Sequence, residues 1–242
     1  PRLHGVDVGV NLHGRGPQSH EILAAARPAR TIWFENAAVP QSFGHPRWRR
    51  AEHEVRRWCR LLDESGIPAA PGDLALDPPT RPPPAGSAGA TILHPGAKGL
   101  ARRWPAERYA EVARAEAAAG RRVIVTGSRA EVPLATAVAA RAGLRPDAVL
   151  AGRTDLSALA AAVAAARRVV CGDTGMAHLA TAFGTHSVLL FGPTSPGEWG
   201  PPPDRPRHRV LWTGRTGDPH ANRPDPGLLE IEVDEVLAAL GD

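Results

Sequence analysis

Beyond residue 90, short runs of Val, Ile and Leu alternate with helix-length stretches of periodic apolar residues, and this alternation limits the fold more than any other feature of the chain. Strands are expected over 91–94, 122–126, 148–151, 168–171 and 187–191, with helices over 106–119, 131–142, 156–166 and 175–183 between them. Strands separated by helices pair in parallel through right-handed crossovers, which lay helices on both faces of the sheet. The strand sequences fit that placement, because they run apolar without a polar residue at every second position. The expectation is a doubly wound α/β domain over 90–242. Ligands of such sheets bind beyond the carboxyl ends of the strands.

The part ahead of it is sparser. Apolar residues alternate with Asp7, Gly9 and Asn11 over 6–12, a strand pattern, and 18–26 reads as a short helix. A second strand is expected over 31–34. Val55, Trp58, Cys59, Leu61 and Leu62 then recur at helical spacing until Gly66 and Pro68 end the run. Seven prolines fall between Pro68 and Pro84 with few periodic apolar residues, which describes a stiff, extended connector. The domain division is therefore 1–70, a connector over 71–89, and 90–242.

Composition removes several function classes. Of 242 residues 43% are hydrophobic, enough for a core, and no apolar run approaches the roughly 18 residues of a membrane span. Cys59 and Cys171 are the two cysteines and form no CxxC pair, so neither a disulfide framework nor a thiolate zinc site is expected, and a reducing compartment fits. The sequence opens on Pro1 without a charged and then apolar leader, so a secretory signal is not expected and the true N-terminus is expected to lie upstream. Lys98 is the single lysine among 29 Lys and Arg residues, and the net charge is +4. With 5% aromatic residues there are too few rings for a single-strand nucleic-acid platform. No DxD triplet and no HxxxH pair with a partner acid occurs, so no metal site is expected.

Four segments carry candidate chemistry. Gly172, Asp173, Thr174 and Gly175 join a buried-type strand to a helix bearing His178, where free N–H groups and the helix dipole favour an anion. Asp173 there is either an N-cap or an acceptor for sugar hydroxyls. The loop from His94 through Lys98, Arg102 and Arg103 to Trp104 and Pro105 brings three cations to the end of a strand, with Pro105 suited to the first helical position. Glu131, after Gly127 and Ser128, is either an acid for the two hydroxyls of a ribose or a favourable first-turn helix acid. Gly14, Arg15, Gly16, Pro17, Gln18 and Ser19 nearly match GxGxxG, but Ser19 replaces the third glycine and no acid follows at the required distance, so dinucleotide binding is disfavoured.

The set His94-Pro-Gly-Ala, Arg103-Trp-Pro with Tyr109, Gly127 to Glu131, Leu150-Ala-Gly-Arg-Thr-Asp-Leu, Gly172-Asp-Thr-Gly-Met-Ala-His-Leu-Ala and Phe191-Gly-Pro-Thr-Ser-Pro resembles glycosyltransferase family 9, the heptosyltransferases of lipopolysaccharide assembly. The resemblance implies a GT-B architecture of two Rossmann-like, doubly wound domains, the first an acceptor-side domain that is incomplete in this chain. It implies an inverting, metal-independent transfer of a heptose-like sugar from ADP-sugar or another nucleoside-diphosphate sugar to a glycan or glycolipid hydroxyl, with no further cofactor. By resemblance Asp173 and Arg102 are the catalytic candidates, Arg102 standing where the family has a phosphate-contacting lysine. Lys98, Glu131, Thr174, Gly175, Met176 and His178 are the nucleotide-sugar contacts. A cytoplasmic location, peripheral contact with the inner face of the cytoplasmic membrane and no nucleic-acid partner complete the implied picture. About the first hundred residues of the family's first domain, including the aspartate proposed as general base, have no counterpart here. The chain is thus expected to be truncated or to be a nucleotide-sugar-binding module without catalysis; a dinucleotide-dependent oxidoreductase is the remaining alternative.

Overall fold

A computed structural model describes residues 5–241, which divide into two compact units, one up to Asp73 and the other from Leu74. In the first unit β1 (Val8–Val10) pairs in parallel with β2 (Arg30–Ile32) in the register Val8 to Arg30, and α1 (Gln18–Ala25) connects them. Both strands are shorter than the sequence pattern implies, because only three residues of each are paired. Helix α2 (Glu54–Glu64) lays Leu61 and Trp58 against Ile32, Phe34 and Trp48. Gly16 of the near-GxGxxG loop has a packing reason: a Cβ there would sit 2.5 Å from Nδ1 of the buried His20, whose Nε2 pairs with the Phe34 carbonyl.

The second unit begins with chain that has no regular element until β3 (Thr91–His94), although Leu76 N–H donates to the Ala182 carbonyl and Arg81 pairs with Asp155. Its sheet is wholly parallel, in the order β4 (Val123–Val125), β3, β5 (Arg168–Gly172), β6 (His186–Leu190), β7 (His208–Leu211). The crossovers are α3 (Ala106–Ala118), α4 (Val132–Arg141), α5 (Leu156–Ala165) and α6 (Gly175–Phe183). The strand expected over 148–151 is instead a 3-10 turn, Pro146–Ala148, followed by one bridge from Val149 to Val125. Pro146 bends the chain there, and the Gly152 left-handed turn ends the pairing two residues after Leu150 N–H has reached the Val125 carbonyl. Pro105 is the N-cap of α3 rather than its first helical residue, with extended ψ of 137°.

Alternate side chains of each strand enter two separate cores, which explains the unbroken apolar runs. Leu93, Val170, Val188 and Leu190 pack with Val112, Ala135 and Val236 on one face. Ile92, Val169, Cys171, Leu189 and Phe191 pack with Met176, Ala177 and Val163 on the other. Val236 belongs to α9 (Val233–Leu240), which with α7 (Pro196–Trp199), α8 (Pro226–Glu230) and β7 lies beyond the regular strand–helix alternation of the sequence. The signals were present: Asp225 caps α8 ahead of Pro226, and Glu232 with Glu235 forms a capping box on α9.

Candidate functional site

From β3 the chain proceeds outward to β4 and Val149; it then returns past β3 to build β5, β6 and β7 on the other side. The reversal falls between β3 and β5, whose last paired residues are His94 and Cys171. Loops leaving two such neighbouring strands diverge to opposite faces and leave a crevice at their carboxyl ends. All three candidate segments of the second unit, at 94–105, 127–131 and 172–175, lie at those ends.

Two glycines let the loops close on one another. A Cβ on Gly172 would lie 2.9 Å from the Arg102 carbonyl, so the last residue of β5 admits the 3-10 turn Leu100–Arg102 against it. A Cβ on Gly96 would fall 2.3 Å from the Glu131 carboxylate. Gly175 is different. Among the described glycines of this unit with ordinary backbone angles, it is the one whose added Cβ would meet nothing within 4 Å. It is the exposed first residue of α6 and fronts open space.

The N-cap of α6 is Thr174, with extended φ and ψ, and its side chain caps no N–H. The first-turn N–H groups of α6 are therefore turned outward with the positive end of the helix dipole behind them. The N-cap reading of Asp173 fails on this geometry. Its buried carboxylate instead accepts a hydrogen bond from the Thr194 hydroxyl at 2.7 Å through Oδ2, and Arg102 Nη1 stands 3.7 Å from the same oxygen. Arg102 also donates to the Asp173 carbonyl at 3.2 Å, which holds the guanidinium beside the start of α6. Its side chain remains 27% exposed, whereas that of Asp173 is 7% exposed.

Glu131 serves its helix and the loop together. Its Oε2 accepts from Ser128 N–H at 2.8 Å in a capping box, and Oε1 lies 3.9 Å from Arg103. Burial pushes its pKa up, but the Ser128 hydrogen bonds and the charges of His94 and Arg103 outweigh it and hold the carboxyl below its ordinary value. His94 pairs with the Thr126 hydroxyl at 3.0 Å, and burial lowers its pKa against the raising influence of Glu131. Arg103 is anchored by donating from Nε to the Ala97 carbonyl at 2.9 Å.

The remaining candidates separate. Lys98 and His178 are exposed, on the loop and on the first turns of α6. The Met176 side chain is buried in the core, so only its backbone faces the crevice end of the helix. Thr194 went unnoticed as a site residue; its partner is 21 positions away across β6, a distance at which spacing carries no signal. Among the described residues no three His, Cys, Asp or Glu side chains are grouped as a metal would need.

The unit is a doubly wound α/β domain with an uncapped helix start and a flanking arginine at the carboxyl ends of its strands. The chain belongs to glycosyltransferase family 9 (heptosyltransferase), whose family model matches residues 23–226. Lipopolysaccharide heptosyltransferase 2 of Escherichia coli is 33% identical over 154 residues, 60% of this chain and 44% of that protein. The structure of E. coli ADP-heptose LPS heptosyltransferase II aligns with a TM-score of 0.73 at 22% identity, covering 96% of this chain and 74% of that one. E. coli heptosyltransferase WaaC, solved with ADP, aligns with a TM-score of 0.67 at 18% identity over 99% of this chain and 73% of that one. The fold is thus the GT-B type of the heptosyltransferases, and this chain spans about half the length of the curated relatives it matches.

Proposed function

We propose that this chain carries the donor-binding part of an inverting heptosyltransferase that takes a heptose from ADP-heptose to a hydroxyl of a lipopolysaccharide-type acceptor. The observation that carries the reading is the open, uncapped start of α6 at Thr174 and Gly175 with Arg102 beside it. A diphosphate seated there would meet the N–H groups of the first turn and one guanidinium. As the acceptor hydroxyl attacks the anomeric carbon, the bond to the diphosphate oxygen breaks and negative charge grows on the leaving group. Fixed cations and dipoles at that point stabilise the transition state more than the bound sugar nucleotide. Arg102 takes that role, with Lys98 and His178 at the rim. Transfer then needs no metal ion.

Asp173 is the residue for the sugar. Thr194 and Arg102 fix its Oδ2, while Oδ1 makes no hydrogen bond among the described residues and keeps its capacity to accept from hydroxyls of the donor. Glu131 is our candidate for the ribose; its carboxylate is 13% exposed and packs against Gly96, where any Cβ would displace it. The relatives' names support a lipopolysaccharide-type acceptor; work at the cytoplasmic face of the inner membrane is part of the same proposal. Among the described residues no helix is long and apolar enough to cross a membrane.

The test is calorimetric titration with ADP-heptose and with ADP, each in EDTA and in magnesium. The reading expects both to bind, ADP-heptose more tightly, with the same affinities in either buffer. Binding that disappears in EDTA and returns with magnesium would contradict the metal-independent mechanism.

A further inference from the structure

A second basic concavity lies at the opposite, amino-terminal end of the same sheet. The register places Arg168 of β5 opposite His186 of β6, and Val188 of β6 opposite Arg209 of β7. Arg207 and Arg209 flank His208 and therefore share one side of the chain as it enters β7. Arg167, Arg168, His186, Arg207 and Arg209 line a cavity of about 390 Å³, closed on one side by the end of α9. Among the described residues no carboxylate lines it.

Elsewhere in this unit arginines sit against acids, as in Arg108 with Glu232, Arg141 with Glu107 and Arg215 with Glu230. Among the described residues, Arg207 and Arg209 have no such acid, and Arg207 Nη1 donates to the Gly184 carbonyl instead. Glu116 stands behind Arg168 at 3.2 Å, yet it is shared with Arg121 at 2.8 Å, so one buried carboxylate faces two guanidinium groups. The carbonyl end of α9 would repel an anion, but Arg168 Nη1 already donates to the carbonyls of Leu240 and Gly241. The excess of positive charge is felt next door: burial first, and then the charges of Arg205, His186 and Arg207, hold the His208 pKa below its ordinary value.

We infer that this cavity binds a phosphate-bearing anion, at a site separate from the crevice at the carboxyl ends of the strands. Arg168 forms its floor, buried and fixed, and His186, Arg207 and Arg209 form an exposed rim able to close on phosphate oxygens. The volume corresponds to on the order of ten waters, enough for a diphosphate and part of its hydration shell. The same chemistry would hold either a free phosphate compound or the phosphate of a lipid headgroup.

Inorganic pyrophosphate is the probe, titrated calorimetrically into the wild-type chain, an Arg102→Ala variant and an Arg207→Ala/Arg209→Ala double variant, whose side chains are exposed and removable without opening the core. Each variant is first checked for an unchanged melting temperature. Wild type should bind pyrophosphate at two sites, of which Arg102→Ala weakens only the donor site and the double variant weakens only this one, at least tenfold. Flotation with vesicles of anionic or of neutral phospholipid separates the sources. Anionic-vesicle binding displaced by pyrophosphate and lost in the double variant names a lipid headgroup, and pyrophosphate binding without vesicle binding names a free phosphate compound. The inference is overturned if neither probe binds, or if the double variant binds both as the wild type does. Failure of ADP to bind would strike the donor site and leave this result untouched.

Discussion

The two ends of the second unit's sheet use the same residue types to opposite ends. At the amino end Glu116 has a side-chain exposure of 1% and is held by Arg121, Arg168 and the Thr91 hydroxyl. At the carboxyl end Asp173 has one arginine and one hydroxyl, and the arginine is partly exposed beside an uncapped helix. A saturated buried carboxylate ties strands and helices together, whereas one with an oxygen left over, next to outward-facing donors, is arranged to receive something from outside. Structure and site are told apart here by what each charge still lacks.

The largest effect should come from breaking the saturated end. Glu116→Ala leaves two guanidinium groups without their shared partner and should cost about 3–5 kcal/mol of stability in a urea titration. ADP affinity of the molecules that remain folded should not change.

Arg102→Ala reverses that profile. Loss of a charge-assisted contact should weaken ADP binding by about 1.5–3 kcal/mol, and by less at high salt, while the stability loss stays smaller than that of Glu116→Ala because Thr194 still bonds Asp173. If calorimetry gave an unchanged affinity, the phosphate contact would pass to Lys98 or Arg103.

Asp173→Asn sharpens the comparison, because an amide oxygen can still accept from Thr194 while the charge is gone. The variant should fold, bind ADP as the wild type does, and lose about tenfold in affinity for ADP-heptose, roughly 1.4 kcal/mol. Equal loss for both ligands would place Asp173 on the phosphates rather than the sugar.

Gly175→Ala should separate stability from binding within one residue. The new Cβ meets no protein atom within 4 Å, and the backbone angles are ordinary, so the variant should be as stable as the wild type or up to about 1 kcal/mol more stable. ADP affinity should nevertheless fall, because the methyl group occupies the approach to the helix start. Stability and affinity both unchanged would mean that ligand keeps its distance from Gly175.

The smallest effect concerns pH. His94 has a folded-state pKa below its unfolded value, so the unfolded chain takes up the proton first and the stability His94 contributes is complete above about 6.5. That contribution declines as pH falls from there towards the folded-state value. His94→Asn, which can keep the Thr126 bond, should flatten the fall in stability between pH 7 and 5; an unchanged slope would assign the fall to His45 and His208, which are also lowered.

Much of this was legible from sequence because parallel strands buried on both faces announce themselves as runs such as Val169, Val170 and Cys171, and the loops after them locate the crevice. The helix start at Thr174 followed from strand, small residues and apolar helix in that order. What escaped was long-range pairing. Nothing in the spacing joins Thr194 to Asp173, nor Arg102 to the Asp173 carbonyl 71 positions away. The cap at Asp173 was an equal reading until the extended angles of Thr174 gave that position to its neighbour. Residues 148–151 read as a strand by composition, yet an edge position with Pro146 on one side and Gly152 on the other leaves room for a single bridge. The helices α8 and α9 carry short, capped signals that a search for longer apolar runs passes over.

The central claim is that the carboxyl end of this sheet binds a nucleoside diphosphate by itself. Isothermal titration of the 242-residue chain with ADP, beside UDP, GDP and NAD, addresses it most directly. The account predicts saturable ADP binding at one site, abolished or strongly weakened by Arg102→Ala and by Gly175→Ala, with NAD no better than ADP. A folded sample that binds none of the four would contradict it.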